Sequence, residues 1–546
     1  MEPVESEKPS ASGSRQLMSS LRLVSLGTLL SRILGLFRDM AMTSLFGAGT
    51  VLDAFLVAFR LPNLSRQLLG EGAVSTAFLP IFLRNRNELG TQAARETLTL
   101  VALLLAATLT LLVTVSEAGL AAVWHFVELS ESSRLLVWLL ALMLPYSLVI
   151  CLAALFCAAL HAQRQFLWPS LVPVVLNLIW LTAIGMLYGR SLEPVQQASL
   201  LAVCVTAAGG IQMLLPYWAL HRQGLGLTRH WRRRWKDLRE LLSAILPVLI
   251  GMTILQGSAI LDSLLAWGLS IPDDGGQAWC QMIGITPFLG SGTASALYLG
   301  QRMLQFPLGI FGIALGTVLY PLLTQHAQQK NFERLREDLS RGLRMAIAIG
   351  IPASAGLCVI AWPLTLALFQ RGEFSEQDAD LTAKMIGASS LGIWSMIGIA
   401  ILNRACYAMG DRTTPMRLGL FALVFNQMLN LILIWPLGGV GLPVSSAITS
   451  GILCLATLFM VNRNIGRLDI KPMPWTSILW TLWNSIACAS LMLWACFGVQ
   501  ALLPESESLT MRLGTLLILC ATGTLVVLGA ARLFGMKELE DFLHRK

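Results

Sequence analysis

Charge is what this chain has least of. Asp, Glu, Lys and Arg make up 13% of its 546 residues while 55% are hydrophobic, and an ordinary soluble domain carries about 25% charged residues. A water-soluble chain cannot hide that much apolar surface, so the sequence describes a polytopic membrane protein rather than a string of soluble domains. Histidine is also sparse. The six present are scattered, and no Walker loop, HExxH pair or GxSxG elbow accompanies them. No acid, base and nucleophile set can be assembled, which argues against an enzyme. The ten cysteines form no CxxC pair and no zinc spacing, so neither a metal site nor a disulfide is expected. All but Cys280 lie in or beside apolar runs, where cysteine behaves as a small hydrophobe. The stretch MEPVESEKPSASGSRQ lacks the basic start of a signal peptide and reads as a short disordered cytoplasmic tail. The net charge of +8 does not point to nucleic acid, because the cations occupy short loops between apolar runs.

What is present is a succession of apolar runs of helical length. There are fourteen, at about 18–44, 52–82, 97–123, 134–160, 168–189, 197–221, 240–267, 286–324, 345–369, 382–408, 416–436, 440–462, 474–502 and 509–533. Several exceed the roughly 20 residues that a crossing needs, so they are expected to tilt, kink or project. With the N-terminus inside, the even-numbered loops and both tails hold most of the Lys and Arg. The odd-numbered loops and the run ends beside them hold Arg134, Arg190, Arg371 and Arg512. This bias predicts a cytoplasmic N-terminus and C-terminus. The run HWRRRWKDLRE (230–240) is the clearest inside marker, read first as an anchor and second as a contact for anionic lipid headgroups. It also divides the chain. The expected organisation is all-α: a tail (1–17), a six-helix N-lobe (18–221), a basic cytoplasmic linker (222–239), a six-helix C-lobe (240–462), and two extra helices with a C-terminal tail (463–546). Such halves suggest a transporter of parallel repeats.

Some charges stand where lipid would reject them, at roughly 2.5–3.5 kcal/mol each for a helix centre. Arg32, Arg38 and Asp39 lie in the first run, Asp53, Arg60, Arg66 and Glu71 in the second, Asp262 in the seventh and Arg302 in the eighth. Arg32 and Asp39 are seven apart and share a face, as do Ser31 and Arg38. That polar side must face protein or a water-filled cavity. Pro62, Gly70 and Gly72 predict a broken helix at membrane depth, tolerated only where it lines a cavity. Pro307, with Gly309, Gly312 and Gly316, predicts a bend in the eighth run. The arginines outnumber the acids near them, which favours an anionic ligand, and guanidinium forks suit phosphate oxygens.

SRILGLFRD, FGAGTVLDAFLVAFRLPNLSRQLLGEGAVSTAFLPIF, GQRMLQFPLGIFGIALGTVLYP and RACYAMGDRTTP together resemble the MurJ (MviN) family of lipid II flippases, within the multidrug/oligosaccharidyl-lipid/polysaccharide (MOP) exporter superfamily. The resemblance runs from about residue 18 to 533. It implies about fourteen transmembrane helices, with two six-helix lobes around a central cationic cavity and a lipid-tail groove formed by the last two. The implied substrate is the undecaprenyl-diphosphate-linked peptidoglycan precursor, moved from the inner to the outer leaflet of the bacterial cytoplasmic membrane by alternating access. By matching motif positions, Arg32, Arg38 and Arg302 would contact pyrophosphate and Arg66 would help close the cytoplasmic entrance. Asp39, Asp53, Glu71 and Arg60 would form gating ion pairs or orient the arginines. Gln301 and Gln305 stand where many members carry acids, which leaves the cavity more cationic. Some relatives hold a sodium ion in the second lobe. The matching positions are Asp262, Asn426, Asn430 and Ser446, and interhelical hydrogen bonding is the first reading of the two asparagines. No other cofactor is implied.

Three other readings stay open. A flippase for a different polyprenyl-diphosphate glycan would show the same arginines. A non-transporting scaffold for cell-wall synthesis or division proteins would tolerate their loss. A cation-coupled drug exporter should show buried acids and few central arginines, the opposite of this chain.

Overall fold

In lipid every backbone N–H and C=O needs an internal partner, and helices supply one. The computed structural model describes residues 11–273, 277–286, 288–466, 473–503, 508–536 and 538–539. The side chain of Glu71, and those before Leu23, lie outside the described residues. The fold is all-α. It runs α1 (Ala11–Phe46), α2 (Thr50–Ser65), α3 (Ser75–Leu89), α4 (Thr91–Phe126), α5 (Glu131–Ala162), α6 (Leu167–Leu187), α7 (Pro194–Arg222) and α8 (Leu238–Gly268). It continues with α9 (Thr293–Pro307), α10 (Ile313–Gln328), α11 (Phe332–Leu368), α12 (Glu376–Ser390), α13 (Ile393–Ala408), α14 (Thr413–Leu437), α15 (Gly441–Gly466), α16 (Trp475–Leu502) and α17 (Leu509–Leu533). Among the described residues the only strand-like feature is an isolated bridge between Ser270 and Leu289.

Each of the fourteen apolar runs overlaps one helix or a joined pair, the eighth only from Thr293 onward. Among the described residues, eight helices are long and apolar enough to cross a membrane, or up to eleven when each bent pair is one span. One of the eight is the unbroken stretch Thr413–Gly466, 54 residues, which at 1.5 Å per residue would be about 80 Å long if straight. It is not straight. Gly438 has φ +58°, Gly438–Val440 form a 3₁₀ turn, and α14 and α15 pack against each other. The stretch is therefore a hairpin of two spans. The first helix begins at Ala11, inside the 1–17 segment expected as a disordered tail.

Both expected breaks are π-helical. Arg66–Val74 joins α2 to α3, and Leu308–Gly312 joins α9 to α10 across a bend of 41°. Widening the helix frees carbonyls, and small hydroxyls take them up: Ser75 Oγ donates to Gly70 O at 2.5 Å and Thr76 Oγ1 to Gly72 O at 2.9 Å. The chain passes Pro62 within α2 and is rewound around Gly70 rather than opened into a loop.

The chain forms two compact units, Met1–Leu45 with Ala54–Gln256, and Phe46–Asp53 with Gly257–Lys546. In the first, α5 packs on α4 and α7, α6 packs on α7, and the π-helical stretch packs on α5. Gly70 makes that last approach possible, since a Cβ there would come within 2.8 Å of Ala154 Cβ. In the second, α11 is the central post, touching α10, α12, α13, α16 and α17. Its core includes the fully buried Leu335, Leu339, Ile393, Ile397 and Ile401. Gly316 lets α10 and α13 approach, because a Cβ would fall on the Arg404 guanidinium. The last two helices pack on α11 and on each other, and α17 leaves Leu517 and Leu525 about 70% exposed.

Candidate functional site

In the first unit, α1 presents Arg38 as a held cation. The side chain is buried, and Nη2 and Nε donate to Asp39 Oδ1 at 2.7 and 3.1 Å. Its Nη1 donates to Asn177 Oδ1 at 3.3 Å. The guanidinium carbon lies 4.5 Å from the centroid of the Trp180 ring, a cation–π arrangement strengthened by exclusion of water. Trp180 is fixed in turn, with Phe59 edge-on at 5.1 Å and its Nε1 donating to Met42 Sδ at 3.3 Å. Asn177 also donates Nδ2 to Ser31 O at 3.1 Å. One α6 asparagine thus touches α1 at Ser31 and Arg38, the two positions the heptad spacing put on one face. Arg32 follows Ser31 and is half-buried. Sequence reasoning missed Asn177 and Trp180. The signal was there in Asn177, a single amide inside the apolar run VPVVLNLIWL.

Arg60 and Arg66 are half-buried on the second run. Arg66 opens the π-helical stretch and donates Nη2 and Nε to Asn63 Oδ1 at 2.9 and 3.2 Å.

In the second unit, Asp53 meets backbone and hydroxyl donors, and no arginine among the described residues. It is 1% exposed, and it caps the start of α9. Oδ1 accepts from Ser295 N at 2.7 Å and Ser295 Oγ at 2.5 Å, and Oδ2 accepts from Gly292 N at 3.0 Å. A carboxylate at a helix N-terminus satisfies orphan donors and suits the dipole. Gly292 is required there, because its φ is +80° and a Cβ would strike Ala48 O. Arg302 lies on α9 two turns further on, half-buried, with Nη1 3.4 Å from Gln305 Oε1. An amide thus neighbours the arginine where many relatives were expected to place an acid.

The four positions suggested for a cation come together on α8, α14 and α15. Asp262 is 3% exposed, and its Oδ1 accepts from Asn430 Nδ2 at 2.7 Å and Gln427 Nε2 at 3.1 Å. Asn426 accepts from Ser258 Oγ at 2.8 Å and donates toward Ser446 Oγ at 3.3 Å. Ser445 Oγ donates to Asn430 Oδ1. Gln427, Ser258 and Ser445 were not anticipated. The donor set is a carboxylate with amide and hydroxyl oxygens, which suits a hard cation. The amide N–H groups aimed at Asp262 also let the cluster satisfy itself.

The model of the family described as lipid II flippase MurJ matches residues 42–513. The chain belongs to the MurJ family. A Vibrio cholerae protein named a probable lipid II flippase MurJ is 32% identical over 460 residues, covering 82% of this chain and 83% of its own. A Burkholderia cenocepacia lipid II flippase MurJ is 28% identical over 493 residues, covering 88% and 90%. Among solved structures, a lipid II flippase MurJ in an inward closed conformation aligns with a TM-score of 0.75 at 22% identity, over 95% of this chain and 99% of that one. An inward-facing MATE multidrug transporter of the MOP superfamily aligns with a TM-score of 0.63 at 13% identity, over 82% and 99%. These likenesses establish the shared helical fold.

Proposed function

We propose that this chain is a lipid II flippase, a multi-pass membrane transporter and not an enzyme, that carries the undecaprenyl-diphosphate-linked peptidoglycan precursor from the inner to the outer leaflet of a bacterial cytoplasmic membrane. The observation that carries this reading is the family match over 42–513. The reading places both termini in the cytoplasm, as the loop charges predict.

Arg32, Arg38 and Arg302 are the pyrophosphate ligands, with Arg66 at the cytoplasmic entrance. Pyrophosphate offers paired anionic oxygens, and guanidinium forks bind such groups bidentately. Supporting this assignment, Arg38 is oriented before any ligand arrives, by Asp39, Asn177 and Trp180. Asp39 restrains its charge until phosphate oxygens compete for the same N–H groups. Movement between inward and outward states requires helices that change course within the membrane, and the π-helical segments beside Arg66 and after Arg302 supply them. Asp53 acts in gating by fixing the start of α9 rather than by ion pairing.

A sodium ion would be held by Asp262 with the carbonyl oxygens of Asn426 and Asn430 and the hydroxyl of Ser446. One carboxylate gives such a site low charge, and the membrane potential alone offers about 2.3 kcal/mol per charge per 100 mV. We read the cluster first as a structural brace between α8, α14 and α15. Protein partners would come from cell-wall synthesis or division machinery.

The test is complementation of cells depleted of their own lipid II flippase, with wild type and Arg32→Ala side by side and membrane expression of both verified. Rescue by wild type alone is expected. Rescue by both would refute the site. Rescue by neither, at good expression, would favour another polyprenyl-diphosphate glycan or a scaffold role.

A further inference from the structure

The linker between α7 and α8 was expected as a topological anchor, yet it is a folded element. Trp231–Asp237 form a 3₁₀ helix packed on α4. Five contacts tie the segment to the first unit. Arg95 Nε donates to Gly226 O at 2.9 Å and Thr228 N to Thr99 Oγ1 at 3.0 Å. Asn85 Nδ2 donates to the buried Asp237 at 2.8 Å, and Arg234 Nε reaches Glu96 at 3.4 Å. Arg84 grips Glu240 with both Nη atoms, at 2.9 and 2.8 Å. Of the three acids that reach the segment, two are used inward, Glu96 with 3% of its side chain exposed and the buried Asp237, and the third, Glu240, is half exposed and paired with Arg84.

The outward side has the opposite character. Arg229, Arg232, Arg233, Lys236 and Arg239 are all exposed. Arg233, with 69% of its side chain exposed, reaches no nearer than 3.7 Å to Glu96. Among these cations stand Trp235, 54% exposed, and Leu227, 40% exposed. The Trp231 and Trp235 rings are 6.0 Å apart, with the Arg232 guanidinium 5.4 Å from the Trp231 centroid. Nearby, Arg222 stacks at 4.0 Å on Trp218. Topological bias requires only that cations be present in the loop. It does not require a folded turn that pairs Glu96, Asp237 and Glu240 and presents cations interleaved with tryptophan. Indole rings at the ends of apolar spans settle at headgroup depth, and clustered Lys and Arg beside them attract anionic lipid.

We propose that the 222–239 linker is a headgroup-binding site for anionic phospholipid of the leaflet it touches. The phosphodiester is met by Arg232, Arg233 and Lys236, and the glycerol and upper acyl region by Trp235. Proteins and soluble phosphates are the excluded occupants: the exposed indole suits a ligand with an apolar body, and the surplus charge suits one carrying a phosphate.

The experiment uses the full-length purified protein and titrates phosphatidylglycerol or phosphatidylcholine while bound lipid is counted by native mass spectrometry. Each cation near an anionic surface contributes about fivefold in affinity, so the triple variant Arg232→Gln/Arg233→Gln/Lys236→Gln should weaken phosphatidylglycerol binding about a hundredfold and leave phosphatidylcholine unchanged. Trp235→Ala should weaken phosphatidylglycerol binding alone. The charge-preserving variant Arg232→Lys/Arg233→Lys guards against misfolding and should retain binding. Unchanged phosphatidylglycerol affinity in the triple variant would overturn the proposal. So would equal loss in the charge-preserving variant, or full displacement of the lipid by millimolar inorganic phosphate.

Discussion

Replacing Asp53 by alanine tests the reading of that residue as a brace for α9 rather than a partner for an arginine. The carboxylate receives Gly292 N, Ser295 N and Ser295 Oγ, and Ser295 is 0% exposed. Alanine leaves all three donors buried without their acceptor. An unsatisfied buried donor costs about 1–3 kcal/mol. The serine hydroxyl can rotate to another acceptor, which leaves two fixed backbone N–H groups. The expected loss is thus about 3 kcal/mol, part of which is the usual cost of about 1 kcal/mol for a lost helix cap. It falls locally, on the first turn of α9. In hydrogen-exchange mass spectrometry of the detergent-solubilised protein, peptides spanning 290–300 should exchange about a hundredfold faster, the factor that about 3 kcal/mol represents. Peptides from α5 and α7 should not change. Asp53→Asn keeps an acceptor for Ser295 while losing the charge and the Gly292 contact, so its effect should be less than half as large. Unchanged exchange across 290–300 in Asp53→Ala would refute the reasoning.

Other expectations follow from the same contacts. Arg302→Ala should abolish complementation with normal membrane insertion, and growth at wild-type rate would remove Arg302 from the site. Asn177→Ala takes one hydrogen bond from a buried cation and one from Ser31 O, about 1.5–3 kcal/mol for the charged contact. It should lower transport activity at least tenfold while Asn177→Asp, which keeps the acceptor, retains more, and equal activity of all three proteins would contradict the orienting role. Cysteine placed at Glu193 should be labelled by an impermeant maleimide from outside intact cells and cysteine at Gln92 should not, the reverse pattern inverting the topology. Asp411 gives a pH dependence outside the spans. Burial pushes its carboxyl up, but hydroxyl and N–H donors from Thr414 and Thr413 outweigh this and hold it below its ordinary value of 3.8. A depressed pKa contributes stability above the unfolded value, lost as pH falls through the folded one. The start of α14 should therefore loosen only below about pH 4, and Asp411→Asn should remove that acid step in hydrogen exchange.

The sequence made the membrane class, the helical runs and the misplaced charges legible, because each is a local contrast between polar and apolar residues. Arg38 and Asp39 could be seen as unwelcome in lipid. Their partner Asn177 could not, because it lies 139 positions from Arg38 and nothing in periodicity joins α1 to α6. Pro62 and Pro307 marked where helices are disturbed, while the rewinding into π turns depended on Ser75, Thr76 and the fit of Gly70 against α5. Asp53 was recognised as costly but given an ionic role, since the donors that take it up are backbone groups of Gly292 and Ser295, and backbone groups leave no mark in composition. Asp262, Asn426, Asn430 and Ser446 were brought together through family resemblance, and Gln427 was passed over although it donates to the same Asp262 oxygen as Asn430.

The π-helical stretch Arg66–Val74 also sets the phase of everything after it. In α3 the buried residues are Ala77, Phe78, Ile81, Phe82 and Asn85, a single stripe one helix-turn apart. Each residue of an α-helix advances the side-chain direction by about 100°. Rewinding 66–74 from π-helix to α-helix with no residue removed would keep α3 helical and keep its composition, yet swing that stripe by about this angle, because a π stretch turns through less angle for the same number of residues. Phe78 and Phe82 would leave their burial, and Asn85 would miss the Asp237 carboxylate that fastens the linker. The added width of one stretch of helix in the membrane is thus the registration mark by which a distant surface element finds its seat.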